Sequence, residues 1–306
     1  MGTPEFAVPT LESLVCSPYH VVAVYTQPDK PAGRSRQVAW SPVKRLATEY
    51  KIPVIQPNTL KSREAVDELA SFKPDLIIVA AFAYILPPEV LSLPKFNCLN
   101  VHPSLLPRHR GPSPVAASLL RGDQFTGVSI MLMDAGMDSG PILAQRKVDL
   151  SSRDTTGTLT FKLAGAGAKL LIDILPQWLT GKLKPQPQDE SRATYSKLIS
   201  KEDGEMDWHS PAIELWRRVR AYNPWPGCYT WWKGKRLKVH EVIPLEDVAK
   251  GKIGEVLALN EPTSGVGIVT RRGILGLSQV QLEGKHKMRV GDFVRGQRDF
   301  IGSILG

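Results

Sequence analysis

The segment Asp75–Ala81, DLIIVAA, is the feature that most constrains this chain. It is an apolar run of strand length without polar alternation, as expected of a strand buried on both faces. Such a strand needs a covering layer on each side, and the neighbouring sequence supplies helical patterns to provide them. Val21–Thr26 reads as a β-branched strand. Ser41-Pro42 places an N-cap before a proline at the first helical position and opens a helix through Tyr50. Pro53–Gln56 is a short strand, and Ser62–Phe72 is helical with Ala65, Leu69 and Phe72 on one face. Asn97–Val101 is a strand and Ser113–Arg121 a helix. Thr126–Met133 and Ile142–Val148 are strands, and Thr155–Trp178 is a long helix with apolar residues every three to four positions. The alternation predicts an α/β fold, a Rossmann-like layering around a mainly parallel sheet.

The composition changes after residue 180. Residues 181–195 are polar and carry Pro185 and Pro187, which reads as a linker. One helical patch follows around Ile213–Ala221. Glycine-punctuated strands come next: Cys228–Trp232, Leu237–Val242, Ile253–Leu259, Gly267–Thr270 and Ile274–Leu282. Their spacing predicts a small β-barrel or sandwich. The expected division is a first domain over 1–183, a linker over 184–206 and a smaller C-terminal domain over 207–306. The N-terminus reads as a turn, Gly2-Thr3-Pro4, and then a helix over Phe6–Val15. A sheet of this kind normally begins with a strand before its first helix. The expectation is therefore that the native start lies upstream of Met1, and that a chain extended there is more stable.

Hydrophobic residues make up 42% and charged residues 23%, which excludes collagen-like, low-complexity and wholly disordered classes. No 18-residue apolar window or leader-like segment is visible, and three scattered cysteines form neither a disulfide framework nor a metal motif. The expected compartment is the reducing cytoplasm, with no membrane partner and no metal. The net charge of +9 is compatible with nucleic acid or an anionic metabolite and demands neither.

The densest chemistry lies in NCLNVHPSLLPRHRGPSP, residues 97–114. Asn100 and His102 are two apart at a strand end, so amide and imidazole share a face. Pro103 ends the ladder and puts the pair at the carboxyl edge of the sheet, where open α/β sheets bind ligands. The glycine loop Asp134–Pro141 follows a strand and reaches the same edge if that strand is parallel. Either Asp134 or Asp138 could meet His102 and favour its charged form. One of the two is expected to serve only the turn. Gly165-Ala166-Gly167 in the long helix reads as close packing, and no P-loop, GxGxxG or GxSxG motif is present. Five of the seven tryptophans fall within 208–232, which suggests core packing before base stacking. The run Lys233–Lys238 reads as a solvated hairpin edge.

Asn100-Val-His102-Pro-Ser-Leu-Leu-Pro107 with Arg110-Gly111 resembles the signature of folate-dependent formyltransferases. Gly2–Phe6, Gln27–Arg34, Ala81–Pro87, Met137–Gly140 and Tyr222–Gly227 are similar, in order, to the members acting on methionyl-tRNA. The resemblance covers essentially the whole chain. It implies transfer of a formyl group from 10-formyltetrahydrofolate to the α-amino group of methionine on initiator tRNA, by a Rossmann-like domain followed by an OB-like β-barrel domain. It implies Asn100, His102 and Asp138 as the catalytic trio, Asn100 and a protonated His102 donating to the oxyanion and Asp138 orienting the histidine. Ser129 would help fix Asp138. Folate would lie against Ser104, Leu105, Leu106 and Pro107, with the pterin near Tyr84, Ile85 and Leu86. Arg108 and Arg110 would pair with the folate glutamate or a tRNA phosphate. The basic loop Pro28–Trp40 would engage the acceptor end through Lys30, Arg34 and Arg36, with Lys197 and Lys201 as further phosphate contacts. Ala83 stands where relatives carry glycine, and His109 where they carry a bulkier aromatic residue. A monomer is expected. The rival readings are a formyltransferase acting on an amino-sugar nucleotide, which has no need of the basic loop, and a non-catalytic RNA-binding protein.

Overall fold

Secondary structure starts where the local chemistry directs it. In the computed structural model, which describes residues 1–32, 37–246, 251–260 and 265–306, α1 (Val8–Val15) follows a single 3-10 turn over Glu5–Ala7. Strand β1 (Val24–Tyr25) precedes a hairpin of β2 (Lys30–Ala32) and β3 (Gln37–Ala39). The Ser41 hydroxyl then accepts from the Lys44 amide at 3.1 Å, and Pro42 opens α2 (Pro42–Glu49). After β4 (Val54–Ile55), Ser62 caps α3 (Arg63–Ser71) in the same way. The series continues with β5 (Ile77–Val79), α4 (Pro88–Leu91), β6 (Cys98–His102), α5 (Pro114–Arg121), β7 (Phe125–Leu132), β8 (Ile142–Asp149) and α6 (Thr156–Leu179).

The chain divides into two units. The first is Met1–Pro114, Phe125–Leu150 and Leu159–Ser196; the second is Val115–Gln124, Ser151–Thr158 and Lys197–Gly306. In the first, β1 pairs with β4 and β5 with β6 in parallel, while β7 and β8 continue the sheet antiparallel. Gly167 lets α6 approach β6 closely, since a Cβ there would lie 2.6 Å from Val101 Cγ1. The polar stretch read as a linker is bonded into this unit as far as Ser196. Gln186 pairs with Ile142, and Thr194–Ser196 runs beside Arg110. Its prolines and polar residues reflect an extended strap rather than a free tether.

The second unit carries α7 (Ala212–Ala221), β9 (Cys228–Trp232), β10 (Lys235–Leu245), β11 (Val256–Ala258), β12 (Val266–Val269), β13 (Ile274–Leu282), β14 (Met288–Arg289) and α8 (Val290–Gly296). The strands form an antiparallel half-barrel in the order β11-β12-β13-β10-β9, with β14 on β13. Lys233 and Gly234 turn between β9 and β10 with positive φ, so the basic run is a hairpin edge. Trp232 packs edge-on against Phe293 and Phe300 at 5.7 and 5.3 Å in the core, and buried Trp208 donates to Thr230 Oγ1 at 3.2 Å. Trp225 is exposed. None of the helices among the described residues is long and apolar enough to cross a membrane.

Between β1 and β5 lies a cavity of about 430 Å³, lined by Leu11, Val24, Tyr25, Leu69, Ile77 and Ile78 among others. Met1 and Gly2 close one end. Gly2 bridges to Ala80 in parallel and donates to Tyr25 O at 3.0 Å, and Ala80 N donates to Met1 O at 2.9 Å. Met1–Gly2 thus occupies the carboxyl end of a strand position, and the cavity continues it toward the amino ends of β1 and β5. Burial pushes the Met1 amine from 8.0 down to about 5. The folded amine binds its proton less readily than the unfolded one, so stability should fall as pH drops from 8 toward 5. Melting temperatures across that range check this, and a melting temperature that does not fall would contradict it.

Candidate active site

Strand β6 alternates its side chains, and Asn100 and His102 point from the same face. The Asp138 loop reaches them by a route the sequence argument did not anticipate. β7 is antiparallel to β6, with His102 opposite Ser129 and Leu99 opposite Leu132. The loop therefore leaves at the amino end of β6 and turns back over the sheet. Gly140 permits that return, because a Cβ there would stand 1.9 Å from Leu132 O. Asp134 serves the turn: it accepts from Gly136 N at 3.0 Å and from Ser139 Oγ at 3.1 Å.

Asp138 is the carboxylate that meets the pair. Its Oδ1 lies 3.4 Å from Asn100 Nδ2 and 3.7 Å from His102 Nδ1. Its Oδ2 accepts from Gly111 N at 2.8 Å. Asp138 has φ +53°, a left-handed conformation that costs an L-residue ~1–2 kcal/mol and must be held from outside. The other imidazole nitrogen, Nε2, lies 3.2 Å from His109 O. A carbonyl oxygen only accepts, so this contact is a hydrogen bond in the tautomer with its proton on Nε2, which leaves Nδ1 facing Asp138.

The charge state of His102 departs from the expectation of an imidazolium. The residue is only 4% exposed. Burial drives the imidazole below its usual value, and Asp138 and the His109 carbonyl oppose that pull without overcoming it. Burial thus favours the neutral ring. Uptake of one proton at Nδ1 would place donors toward both flanking acceptors. Asn100 and Asp138, both part-exposed, form the accessible rim beside it.

The segment after β6 is braced from β7 and β8. Ser129 Oγ donates to Ser104 O at 2.7 Å and accepts from Leu106 N at 3.1 Å, and Gln145 Nε2 donates to Leu106 O at 2.9 Å. Ser129 thus holds the Ser104–Leu106 backbone rather than Asp138. Ser104 and Leu106 are buried, while Leu105 and Pro107 are part-exposed. At the end of the adjacent β5, Leu86 is in the core, Tyr84 is part-exposed and donates to Pro57 O at 3.2 Å, and Ile85 is 79% exposed. Ala83 has φ +64°, a conformation that favours glycine.

Arg110 departs most from the sequence reading. It is 1% exposed and cannot meet a ligand phosphate or glutamate in this conformation. Its guanidinium donates to Glu190 at 2.6 and 2.9 Å, to Gln188 Oε1 at 2.8 and 3.1 Å, and to Tyr195 Oη at 3.2 Å. Gln188 was invisible as a site residue because it sits in a polar, proline-bearing stretch. Arg34 and Arg36 lie outside the described residues, and Lys30 pairs through its backbone with Ala39. Asp29 at the base of that loop pairs with Lys44, which also donates to Gln56 Oε1 at 2.8 Å. Lys197 and Lys201 are exposed and belong to the second unit. Among the described residues, no three His, Cys, Asp or Glu gather as a metal-binding group.

Comparison with known proteins identifies the family. Residues 1–175 match the family model described as formyl transferase, and residues 198–298 match the formyl transferase C-terminal domain. A methionyl-tRNA formyltransferase of Roseiflexus sp. (strain RS-1) is 46% identical over 100% of this chain and 94% of its own length. The enzyme of the same name from Methylococcus capsulatus is 43% identical over 100% of this chain and 98% of its own. Among solved structures, an N-formyltransferase from Helicobacter canadensis in complex with folinic acid and dTDP-3-aminofucose superposes with a TM-score of 0.63. It covers 94% of this chain and 97% of that one at 16% identity, a likeness of fold alone. With both segments matched, and with relatives this similar along their whole length, the chain belongs to the methionyl-tRNA formyltransferase family.

Proposed function

We infer that this protein transfers the formyl group of 10-formyltetrahydrofolate to the α-amino group of methionine on initiator tRNA, yielding N-formylmethionyl-tRNA. The observation that carries this reading is the meeting of Asn100, His102 and Asp138 on one face of β6, in a chain with full-length relatives of that name. The reading takes the enzyme to be a cytoplasmic monomer that works without a metal.

The folate co-substrate would lie along the carboxyl ends of β5 and β6. Ile85, Tyr84, Leu105 and Pro107 offer accessible apolar surface there for a flat heterocycle, while buried Ser104, Leu106 and Leu86 shape the backbone beneath. The amine of methionine attacks the formyl carbon, forming a new C–N bond and a tetrahedral oxyanion. The Asn100 amide has two hydrogens on Nδ2, of which one faces Asp138 and the other can donate to that oxyanion. The amine must lose a proton as the C–N10 bond breaks and N10 gains one. Neutral His102, with Asp138 beside its free nitrogen, is the proton acceptor in this reading, and the imidazolium so formed is hydrogen-bonded at Nε2 and paired with the carboxylate at Nδ1. Arg34, Arg36, Lys30, Lys197 and Lys201 would contact the tRNA backbone.

A formylation assay tests the substrate. Charged initiator tRNA is expected to be formylated well above charged elongator methionine tRNA, and an amino-sugar nucleotide not at all; activity on the sugar alone would overturn the reading. His102→Ala is expected to lower kcat by roughly 10²–10⁴-fold with tRNA affinity retained, and Asn100→Ala by roughly 10²–10³-fold. Arg34→Ala should lose mainly tRNA-dependent efficiency. Wild-type kcat should decline on the acid side as His102 becomes charged. Asp138→Asn removes the attraction that raises the imidazole, so the acid limb should move to lower pH as the rate drops. An unmoved acid limb would contradict the assigned acceptor.

A further inference from the structure

Besides Asn100, the 110–111 turn and the 184–196 strap grip the Asp138 loop with three hydrogen bonds, two of them from one side chain. Gln188 Nε2 donates to Asp138 O at 2.8 Å and to Gly140 O at 2.7 Å. Gln188 Oε1 accepts from Arg110 Nη2 at 2.8 Å and Nε at 3.1 Å. Both donor hydrogens and both acceptor sites of this amide are thereby used, which fixes its plane and its flip state. The third grip is the Gly111 amide on Asp138 Oδ2.

Arg110 sets both sides of this clamp. Its side chain, buried and bound by Glu190 and Tyr195, orients Gln188. Its backbone is locked on the 194–196 strap: Arg110 N donates to Thr194 O at 2.8 Å, and Ser196 N donates to Arg110 O at 2.7 Å. That lock aims the amide of the next residue, Gly111, at the carboxylate. Asp138 is part-exposed, so water would serve its carbonyl, whereas buried Gly140 needs a donor from the protein. One amide ties both oxygens, that of left-handed Asp138 and that of Gly140 two residues on, to a rigid scaffold.

We propose that Gln188, oriented by Arg110, is a positioning residue for the transfer reaction: it holds Asp138 in the left-handed conformation that keeps its carboxylate against Asn100 and His102. The assignment rests on the functional reading above and deepens it. Gln188 touches no reacting atom in this account and acts through the backbone of Asp138. The 184–196 segment is then part of the catalytic apparatus.

The test compares wild type with Gln188→Ala and Gln188→Glu. The glutamate variant keeps the arginine contact and the side-chain length but loses both donor hydrogens, so it separates the clamp from mere packing. In both variants kcat should fall roughly 10–100-fold, the cost of a small misplacement, while KM for folate and for methionyl-tRNA stays within about twofold. The charged and polar groups facing the His102 ring nitrogens are Asp138 and the His109 carbonyl. NMR titration of the imidazole should therefore move to lower pH by about half a unit or more as the carboxylate drifts off. Loss of kcat together with a lowered His102 titration supports the clamp. An unchanged kcat, a loss carried in KM, or an unmoved His102 in the folded glutamate variant overturns it. If wild type fails to formylate methionyl-tRNA, the functional reading falls, and the NMR arm still decides whether Gln188 holds Asp138.

Discussion

A buried imidazole flanked by two acceptors is the constraint around which the first unit is arranged. His102 has the His109 carbonyl on one nitrogen and the Asp138 carboxylate near the other, and it is buried. A neutral ring can satisfy only one acceptor, and a charged ring satisfies both but pays for its desolvation. The shorter contact, to His109, is a hydrogen bond when Nε2 carries the ring's proton. The longer one leaves a basic nitrogen beside a carboxylate, a site for one further proton. That is what a reaction needs when it strips a proton from an amine and soon returns one to a leaving nitrogen.

Holding that arrangement takes three layers of support. The sheet supplies β6, whose alternation aligns Asn100 with His102. Gly167 brings α6 against Val101 on the same strand. The Ser129–Gln145 network fixes the backbone that follows, and the 184–196 strap fixes Arg110 and the carboxylate loop. The left-handed Asp138, Ala83 and His109 all lie in segments beyond strand ends, where neighbouring elements, and not local preference, set the backbone.

Much of this was legible in the residues. Ser41-Pro42 and Ser62 marked helix starts, because capping is a local hydrogen bond that a short window contains. The spacing of Asn100 and His102 predicted a shared face for the same reason. What escaped was non-local. The antiparallel course of β7 depends on pairing partners, not on its own pattern, and it changed how the Asp138 loop arrives. Asp138 next to His102 suggested an imidazolium, but burial, which no spacing reveals, outweighed it. Arg110 looked like a ligand contact, since an arginine in a polar loop is usually exposed. Its partners stand about eighty residues away in a stretch that composition marks only as polar.

The protonation pattern of His102 tests the account most directly. Nitrogen-15 NMR of the labelled imidazole at neutral pH reports which ring nitrogen carries hydrogen. The account predicts Nε2 protonated and Nδ1 bare, with Nδ1 gaining a proton only on acidification. A bare Nε2 facing the His109 carbonyl, or a ring doubly protonated throughout the neutral range, would contradict it.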